Sequence, residues 1–230
     1  RVVQAMDHLG YRPNQAARAL VTQRSRILGI LTSDLSLFGP SRMLQAMELA
    51  AREHGHMAVS CTVDPDSPSS VAEGINHLAD LGIDGLVVLV PQTKAVASAR
   101  KRLGTLPVVT VDSMYRIDEL SVSVDNFAGG QTATEHLISL GHRNILHISG
   151  PKSWFEATAR SAAHAATMLN AGFQPQIVSG DWTADSGYAV GLEVNFEQRG
   201  ITAVFAANDY VALGVIKAAH QRGIRIPHDL

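Results

Sequence analysis

Short apolar runs alternate with longer amphipathic segments from residue 27 to the end of this 230-residue chain. The apolar runs lack the polar alternation of a half-exposed strand, and helical spacing of apolar positions marks the segments between them. In the first half, this predicts strands at Ile27–Leu31, Met57–Val63, Gly85–Val90 and Pro107–Val111, and helices at Pro40–His54, Ser69–Leu81 and Thr93–Leu103. Apolar strands separated by helices are typical of a parallel sheet covered on both faces.

A second series of the same kind starts at residue 121. It predicts strands at Ser121–Val124, Asn144–Ser149, Gln176–Val178 and Ala203–Ala207, and helices at Phe127–Leu140, Glu156–Asn170, Ser186–Gln198 and Tyr210–Arg222. Two series of similar size favour two doubly wound α/β lobes over one continuous sheet. We therefore divide the chain into residues 1–26, an N-terminal lobe over 27–120 and a C-terminal lobe over 121–230. Ligands of such folds bind beyond the carboxyl ends of strands, and two such edges facing each other would form a cleft.

Residues 1–26 are basic, whereas the rest of the chain is acidic. They contain five arginines and one aspartate, a formal charge of +4, and because the whole chain carries −2 the remainder carries −6. Contacts to the phosphates of a nucleic acid require such a basic segment. An ordinary solvated helix face has the same composition, so charge alone leaves both interpretations open.

Composition indicates a soluble, cytoplasmic protein with no membrane partner. The chain is 46% hydrophobic and 17% charged, and it has no apolar run of about 18 residues and no signal-peptide pattern. One cysteine, Cys61, excludes an internal disulfide and fits a reducing compartment. The chain starts inside a predicted helix and stops where a further strand is expected, so we expect a fragment that lacks parts at both ends.

Motifs for catalysis, nucleotide binding and metal binding are missing from the sequence. No G-x-G-x-x-G follows the first strand, and G-x-x-x-x-G-K-[ST], H-E-x-x-H and G-x-S-x-G do not occur. The triplet His54-Gly55-His56 fits the polar end of a helix better than a metal site. We therefore predict a protein that is not an enzyme and needs no cofactor or metal.

Polar and aromatic side chains instead follow the predicted strands. Each has an ordinary explanation, because Asp and Asn often cap helices and Trp often packs in cores. Together they offer directional hydrogen bonds to hydroxyl groups and an aromatic face for a sugar ring. The set comprises Thr32-Ser33-Asp34, Asp112, Asp125-Asn126, Trp182 and Asn208-Asp209, with Arg160 on the helix after Pro151.

Several short motifs also occur in a characteristic order and spacing. They are Leu9–Asn14 followed by Ala17–Leu20, Val124–Asn126 followed by Gly129-Gly130, His136-Leu137 and Leu140–His142, Ala207–Asp209 followed by Ala212–Gly214, and Gly223–Pro227. In these motifs the chain resembles the LacI/GalR family of bacterial transcription regulators over essentially its whole length. Two further stretches, Leu35–Ser41 and Gly180–Gly187, resemble the member after which the family is named.

The resemblance implies two lobes like those of periplasmic binding proteins. In the chain, they are preceded by the remnant of a helix-turn-helix headpiece and by a hinge helix at Asn14–Leu20. It implies a repressor of a sugar-utilisation operon, whose affinity for operator DNA is controlled allosterically by a small sugar or glycoside bound between the lobes. The partners are then operator DNA and a second copy in a homodimer, with a tetramer left open. The rival interpretation is a periplasmic-type sugar-binding protein, which shares the two-lobed fold and has no DNA role.

The resemblance also implies roles for individual residues. Effector contacts are assigned to Ser33, Leu37, Asp112, Arg160, Trp182 and Asn208, and DNA contacts to Asn14, Ala17, Arg18, Leu20 and Arg24. Leu20 is expected to wedge between base steps, and the alternative is a packing residue between hinge and body. The sequence departs from the family at Ala163 and His164, where a glycine and an aromatic residue are usual. This departure leaves the identity of the sugar open.

Overall fold

The computed structural model describes residues 4, 6, 8–10, 15–90, 101–111 and 120–230, and gives only the backbone of residues 15–18. Most of the predicted helix Thr93–Leu103, together with Asn14 and Asp112, lies outside the described residues. Contacts divide the chain into two compact units, of which the first ends at Val122 and the second runs from Ser123 to Leu230. None of the helices in the described ranges is long and apolar enough to cross a membrane.

The N-terminal unit is built on a parallel sheet with the strand order β2-β1-β3-β4-β5. Its core lies between the sheet and α3, where Leu31, Ile75 and Val88 are fully buried. The described elements are α1 (Gln15–Thr22), β1 (Ile27–Thr32), α2 (Phe38–Glu53), β2 (Met57–Thr62), α3 (Pro68–Asp80), β3 (Gly85–Leu89), β4 (Val108–Val111) and β5 (Ser121–Val122). The uninterrupted apolar strands thus form the parallel sheet that their pattern predicted.

The short strand β5 belongs to this first sheet, although the sequence pattern placed it at the start of the second series. Ser121 pairs with Thr110 and Val122 with Val111, and the Thr110 amide donates to the Leu120 carbonyl at 3.0 Å. An apolar run predicts a strand but not its partner, and a strand of two residues is stable only beside a longer one.

The C-terminal unit carries a second parallel sheet, with the described strand order β7-β6-β8. Every residue of β6 is buried, because helices cover both of its faces. The elements are α4 (Asn126–Ser139), β6 (Ile145–Ser149), α5 (Phe155–Asn170), β7 (Gln176–Ser179), α6 (Ala184–Glu193), β8 (Ala203–Ala206) and α7 (Asp209–Gln221). The predicted fold class, two parallel α/β units, is confirmed.

Helix ends follow local capping chemistry. Thr183 caps α6, since its hydroxyl accepts from the Ser186 amide at 3.1 Å, and the helix therefore starts two residues before the predicted Ser186. It ends at Glu193 rather than at Gln198 because Val194 is extended. The polar triplet after α2 is a helix end as predicted, with His54 at the C-cap and Gly55 at φ 72°.

Candidate ligand-binding site

Arg160 on α5 is tied to two other elements of the C-terminal unit. Its Nε and Nη2 donate to Oδ1 of Asn126 at 3.0 and 2.7 Å, and its Nη1 donates to the Ala207 carbonyl at 2.6 Å. Asn126 begins α4, and Ala207 directly follows β8. The rigid fork of the guanidinium is therefore fixed in one orientation at the carboxyl end of the sheet.

Trp182 lies against this guanidinium. The Arg160 Cζ is 5.7 Å from the centroid of the indole ring, within the range of a cation–π contact, and the Trp154 ring meets the indole edge-on at 5.6 Å. Trp182 is only 5% exposed, and its φ of 75° lies in the left-handed region. Such a backbone costs about 1–3 kcal/mol in a residue other than glycine, so the surrounding contacts hold this indole in place.

Gly150 makes room for the indole. A Cβ at this position would collide with ring atoms of Trp182, so no larger residue fits after β6 without moving the ring. The indole Nε1 is buried and has no hydrogen-bond partner among the described residues. A buried donor without a partner costs about 1–3 kcal/mol. The site therefore contains a donor that a polar ligand group can satisfy.

Asn208 connects α7 to the same group of residues. Its Oδ1 caps the helix by accepting from the Val211 amide at 2.9 Å, and its Nδ2 donates to the Trp182 carbonyl at 3.0 Å. Arg160, Trp182 and Asn208 were each predicted as ligand contacts, and the structure brings the three together where β6, β7 and β8 end. Their roles as ligand contacts stay a prediction.

Asn126 and Gly150 belong to this group, but sequence reasoning did not assign them to the site. Asn126 was noted only as a polar residue after a strand. Its role could have been suspected from Arg160, because a guanidinium that is held in one orientation needs an acceptor such as an amide oxygen. Gly150 directly follows the predicted strand Asn144–Ser149 and was given no role in the site. Neither contact is visible in the sequence, because each depends on residues more than 30 positions away.

In the N-terminal unit, Ser33 follows β1 and Leu37 precedes α2. The Ser33 hydroxyl is buried and has no hydrogen-bond partner in the described part of the chain, and the same holds for the neighbouring Thr32 hydroxyl. Leu37 occupies the N-cap position of α2 and is half-buried. The third predicted contact from this half of the chain, Asp112, is outside the described residues.

A pair of histidines lies directly behind Arg160. His164, one helical turn after Arg160 on α5, and His147 on β6 are both fully buried, with ring centroids 5.3 Å apart. Burial lowers the pKa of each to about 4, and for His147 the charge of Arg160 acts in the same direction. Ala163 is also fully buried. The two departures from the family pattern therefore lie in the core, on the buried side of α5.

The histidine tautomers follow from their partners. The Phe205 carbonyl can only accept, so the His147 Nδ1, 2.9 Å away, carries the proton. Thr134 donates its hydroxyl to the Gly130 carbonyl at 2.8 Å, which leaves its oxygen to accept from the His164 Nδ1 at 3.2 Å. Both Nε2 atoms are then lone-pair nitrogens without a hydrogen-bond partner in the ranges described.

The predicted hinge segment forms α1, with Ala17 and Arg18 inside the helix. Leu20 and Val21 are each 84% exposed, and Arg24 beyond the helix is exposed as well. The role of Leu20 as a wedge, and the alternative that it packs between hinge and body, both stay predictions. Within the described residues, no three His, Cys, Asp or Glu side chains are grouped so as to hold a metal ion.

Residues 30–230 match the family model described as periplasmic binding proteins and sugar binding domain of LacI family. The chain belongs to this family. It is 29% identical to the lactose operon repressor of Escherichia coli strain K12 and 30% identical to the ribose operon repressor of Halalkalibacterium halodurans, in both cases over 100% of its length. The resemblance to LacI/GalR regulators is thereby confirmed, and these named relatives are regulators rather than enzymes.

Solved structures agree with the fold. A lac repressor dimer bound to operator and the anti-inducer ONPF matches 99% of this chain with a TM-score of 0.88 at 28% identity. The complex of the regulator CelR with cellobiose matches the same share with a TM-score of 0.77 at 27% identity. This chain spans 70% of the length of each of these two, and 64% of the E. coli lactose operon repressor.

Proposed function

We propose that this chain is the sensing part of a cytoplasmic repressor of a sugar-utilisation operon, whose operator affinity is controlled by a small sugar or glycoside. The observation that carries the proposal is the group formed by Arg160, Asn126, Trp182 and Asn208 at the carboxyl end of the C-terminal sheet. Relatives named as operon repressors and a solved relative bound to operator support the DNA role.

The chemistry of this group suits a polyhydroxylated ligand. The fixed guanidinium donates to ligand oxygens, and the indole supplies both a buried N–H and an apolar face. We assign the effector contacts to six residues. They are Ser33, Leu37, Asp112, Arg160, Trp182 and Asn208.

On the DNA side, we assign the hinge role to α1 in a homodimer. A twofold dimer matches a palindromic operator, and a helix of eight residues is too short to be stable alone in water, so it folds fully on the DNA. Leu20, exposed on α1, wedges between base steps. Asn14, Ala17, Arg18 and Arg24 contact the groove or the phosphates.

Titration calorimetry with lactose, cellobiose, ribose and ONPG tests the effector site. Arg160→Ala should weaken binding of the tightest of these by about tenfold or more, because a charged hydrogen bond is worth roughly 1.5–3 kcal/mol. Arg160→Lys should recover little, since lysine lacks the planar fork. Arg143→Ala is the matched control, because Arg143 also lies 5.7 Å from an aromatic ring centroid in the same unit. Equal affinity of the Arg160 and Arg143 variants would remove the pocket assignment.

Operator binding is tested with the full-length protein and a DNA duplex that it selects from a random library. Leu20→Ala should weaken binding of this duplex by about tenfold or more, because unstacking a base step costs a few kcal/mol and the shortened side chain no longer makes the contacts that offset this cost. Effector affinity should not change. Val21→Ala, equally exposed on the same helix, is the control. If no duplex is selected, the rival interpretation as a periplasmic-type binding protein replaces the repressor.

A further inference from the structure

The connection between α1 and β1 has an unusual backbone. Gln23 and Arg26 have φ of 53° and 58°, in the left-handed region, although neither is a glycine. Each such residue costs about 1–3 kcal/mol and persists only where its surroundings hold it. The segment that links the hinge helix to the sheet is therefore held in shape by contacts from elsewhere in the N-terminal unit.

At Ser25 and Arg26 these contacts come from the carboxylate of Asp84. Its Oδ1 accepts from the Ser25 amide at 3.0 Å and from the Ser25 hydroxyl at 3.1 Å, and its Oδ2 accepts from the Arg26 amide at 2.8 Å. Hydrogen bonds to an ionised acceptor are about twice as strong as neutral ones. One side chain thus fixes two consecutive residues of the connection.

Asp84 is itself attached to the sheet. It lies directly before β3, and its amide donates to the Ile27 carbonyl at 2.8 Å. On the other side, the Met57 amide of β2 donates to the Arg26 carbonyl at 2.8 Å. The connection is therefore bonded to the starts of β2 and β3, so a shift of either strand reaches it directly.

The carboxylate stays charged at physiological pH. Partial burial raises the pKa of Asp84, but the hydrogen bonds from Ser25 and Arg26 and the charge of Arg24 outweigh it and lower the pKa below its ordinary value. A proton on Asp84 would remove acceptor capacity that these bonds use. The attachment is thus constant over the physiological range and does not act as a pH switch.

We propose that Asp84 is a positioning residue that couples the N-terminal unit to the hinge helix, by fixing the direction in which α1 leaves the sheet. This inference rests on the proposed function. Without the carboxylate, the connection relaxes towards ordinary backbone angles and the direction of α1 no longer follows the sheet. Effector binding then leaves operator affinity almost unchanged, although both binding events persist.

The test measures operator affinity of the full-length protein with and without the tightest-binding sugar of the calorimetric panel, on the duplex selected by the wild type. For the wild type, typical coupling predicts that the operator affinities without and with sugar differ by a ratio of roughly 5–150. Asp84→Ala should lower this ratio to about 2 or less. The effector affinity of the protein without DNA should stay within about twofold of the wild type, because the coupling appears only when both ligands are bound. Asp84→Asn keeps an acceptor for Ser25 but not one for Arg26, so its ratio should be intermediate.

Asp80→Ala, an exposed aspartate at the end of α3, is the matched control and should keep the wild-type ratio. Ser25→Ala removes one bond to Asp84, together with the bond that the Ser25 hydroxyl accepts from the Ile27 amide at 3.1 Å, but it leaves Asp84 and its backbone bond to the sheet in place. It therefore tests the coupling even if Asp84→Ala does not fold, and it should lower the ratio partially. Amide hydrogen exchange should accelerate at Ser25 and Arg26 in the Asp84 variants, with β3 still protected.

If Asp84→Ala and Ser25→Ala both keep the wild-type ratio, this inference is wrong, but the proposed repressor function is not affected. Parallel loss of effector affinity, of the ratio and of protection in β3 also overturns it, because Asp84 then only stabilises the sheet. If the wild type selects no duplex, or if the sugar does not change its operator affinity, then both the proposed repressor function and this inference are wrong.

Discussion

Each unit has polar side chains at the carboxyl ends of its parallel strands, but the hydrogen bonding of these side chains differs between the two units. In the C-terminal unit, Arg160 is bonded to Asn126, and Asn208 to the Trp182 carbonyl; the indole N–H is the exception. In the N-terminal unit, the hydroxyls of Thr32 and Ser33 are buried without a hydrogen-bond partner in the described ranges. The C-terminal edge is thus largely organised before a ligand binds, whereas at the N-terminal edge a ligand can supply a hydrogen bond to the Ser33 hydroxyl.

The largest expected contrast between the units is in their response to acid. His147 and His164 belong to the C-terminal unit, and burial lowers the pKa of both to about 4, while an unfolded histidine titrates near 6.5. The unfolded state therefore binds more protons between these values, and stability present above about pH 6.5 is lost as the pH falls towards 4. We expect the free energy of unfolding to drop by about 2 kcal/mol for each histidine between pH 7 and pH 5.

Urea unfolding followed by circular dichroism at pH 5, 6 and 7 measures this drop, and hydrogen exchange shows which unit opens. The double variant His147→Leu, His164→Phe should flatten the dependence, whereas His220→Ala, an exposed histidine on α7, should leave it unchanged. An equal slope in the double variant would show that the buried pair does not cause the acid response.

A second, smaller effect tests how closely the C-terminal site depends on packing behind it. A Cβ on Gly130 would lie 2.9 Å from the Arg160 carbonyl oxygen and 3.0 Å from its Cα, so Gly130→Ala must displace α5. We expect a loss of about 1–3 kcal/mol in unfolding free energy and weaker effector binding.

Its neighbour provides the matched control. A Cβ on Gly129 meets nothing within 4 Å, so Gly129→Ala should stabilise α4 by up to about 1 kcal/mol through helix propensity. Urea unfolding and effector titration on both variants give the comparison. If the two substitutions behave alike, the close approach of α4 and α5 does not position Arg160.

The smallest expected effect concerns the N-terminal edge and has opposite signs for stability and binding. Ser33→Ala and Thr32→Val remove hydroxyls that have no hydrogen-bond partner among the residues the structure describes, so each should raise the free energy of unfolding by about 1 kcal/mol. Ser33→Ala should nevertheless weaken effector binding, whereas Thr32→Val should not. Thermal unfolding and calorimetry measure the two quantities, and a loss of stability in Ser33→Ala would show that its hydroxyl is already bonded.

Sequence patterns predicted what depends on neighbouring residues. Apolar periodicity located the strands, and the polar residues after them led to Arg160, Trp182 and Asn208. Asp125 and Asn208 also proved to be helix caps, as the ordinary interpretation of such residues predicted, so a cap and a site residue are not exclusive assignments.

Contacts between distant positions were beyond the sequence. β5 was assigned to the wrong series because periodicity does not identify a strand's partner. The pairing of His147 with His164 depends on how α5 packs on β6, and the attachment of Ser25 to Asp84 joins residues 59 positions apart. Charge and composition gave no sign of either.

The edge-to-face indole pair has a practical consequence for optical measurements. The sequence contains two tryptophans, and both Trp154 and Trp182 lie in the C-terminal unit. Light absorbed near 295 nm therefore excites this unit alone, and one of its two chromophores borders the proposed ligand. Trp154→Phe would leave a single emitter at that position, so a shift in its emission colour would report occupancy without any added dye.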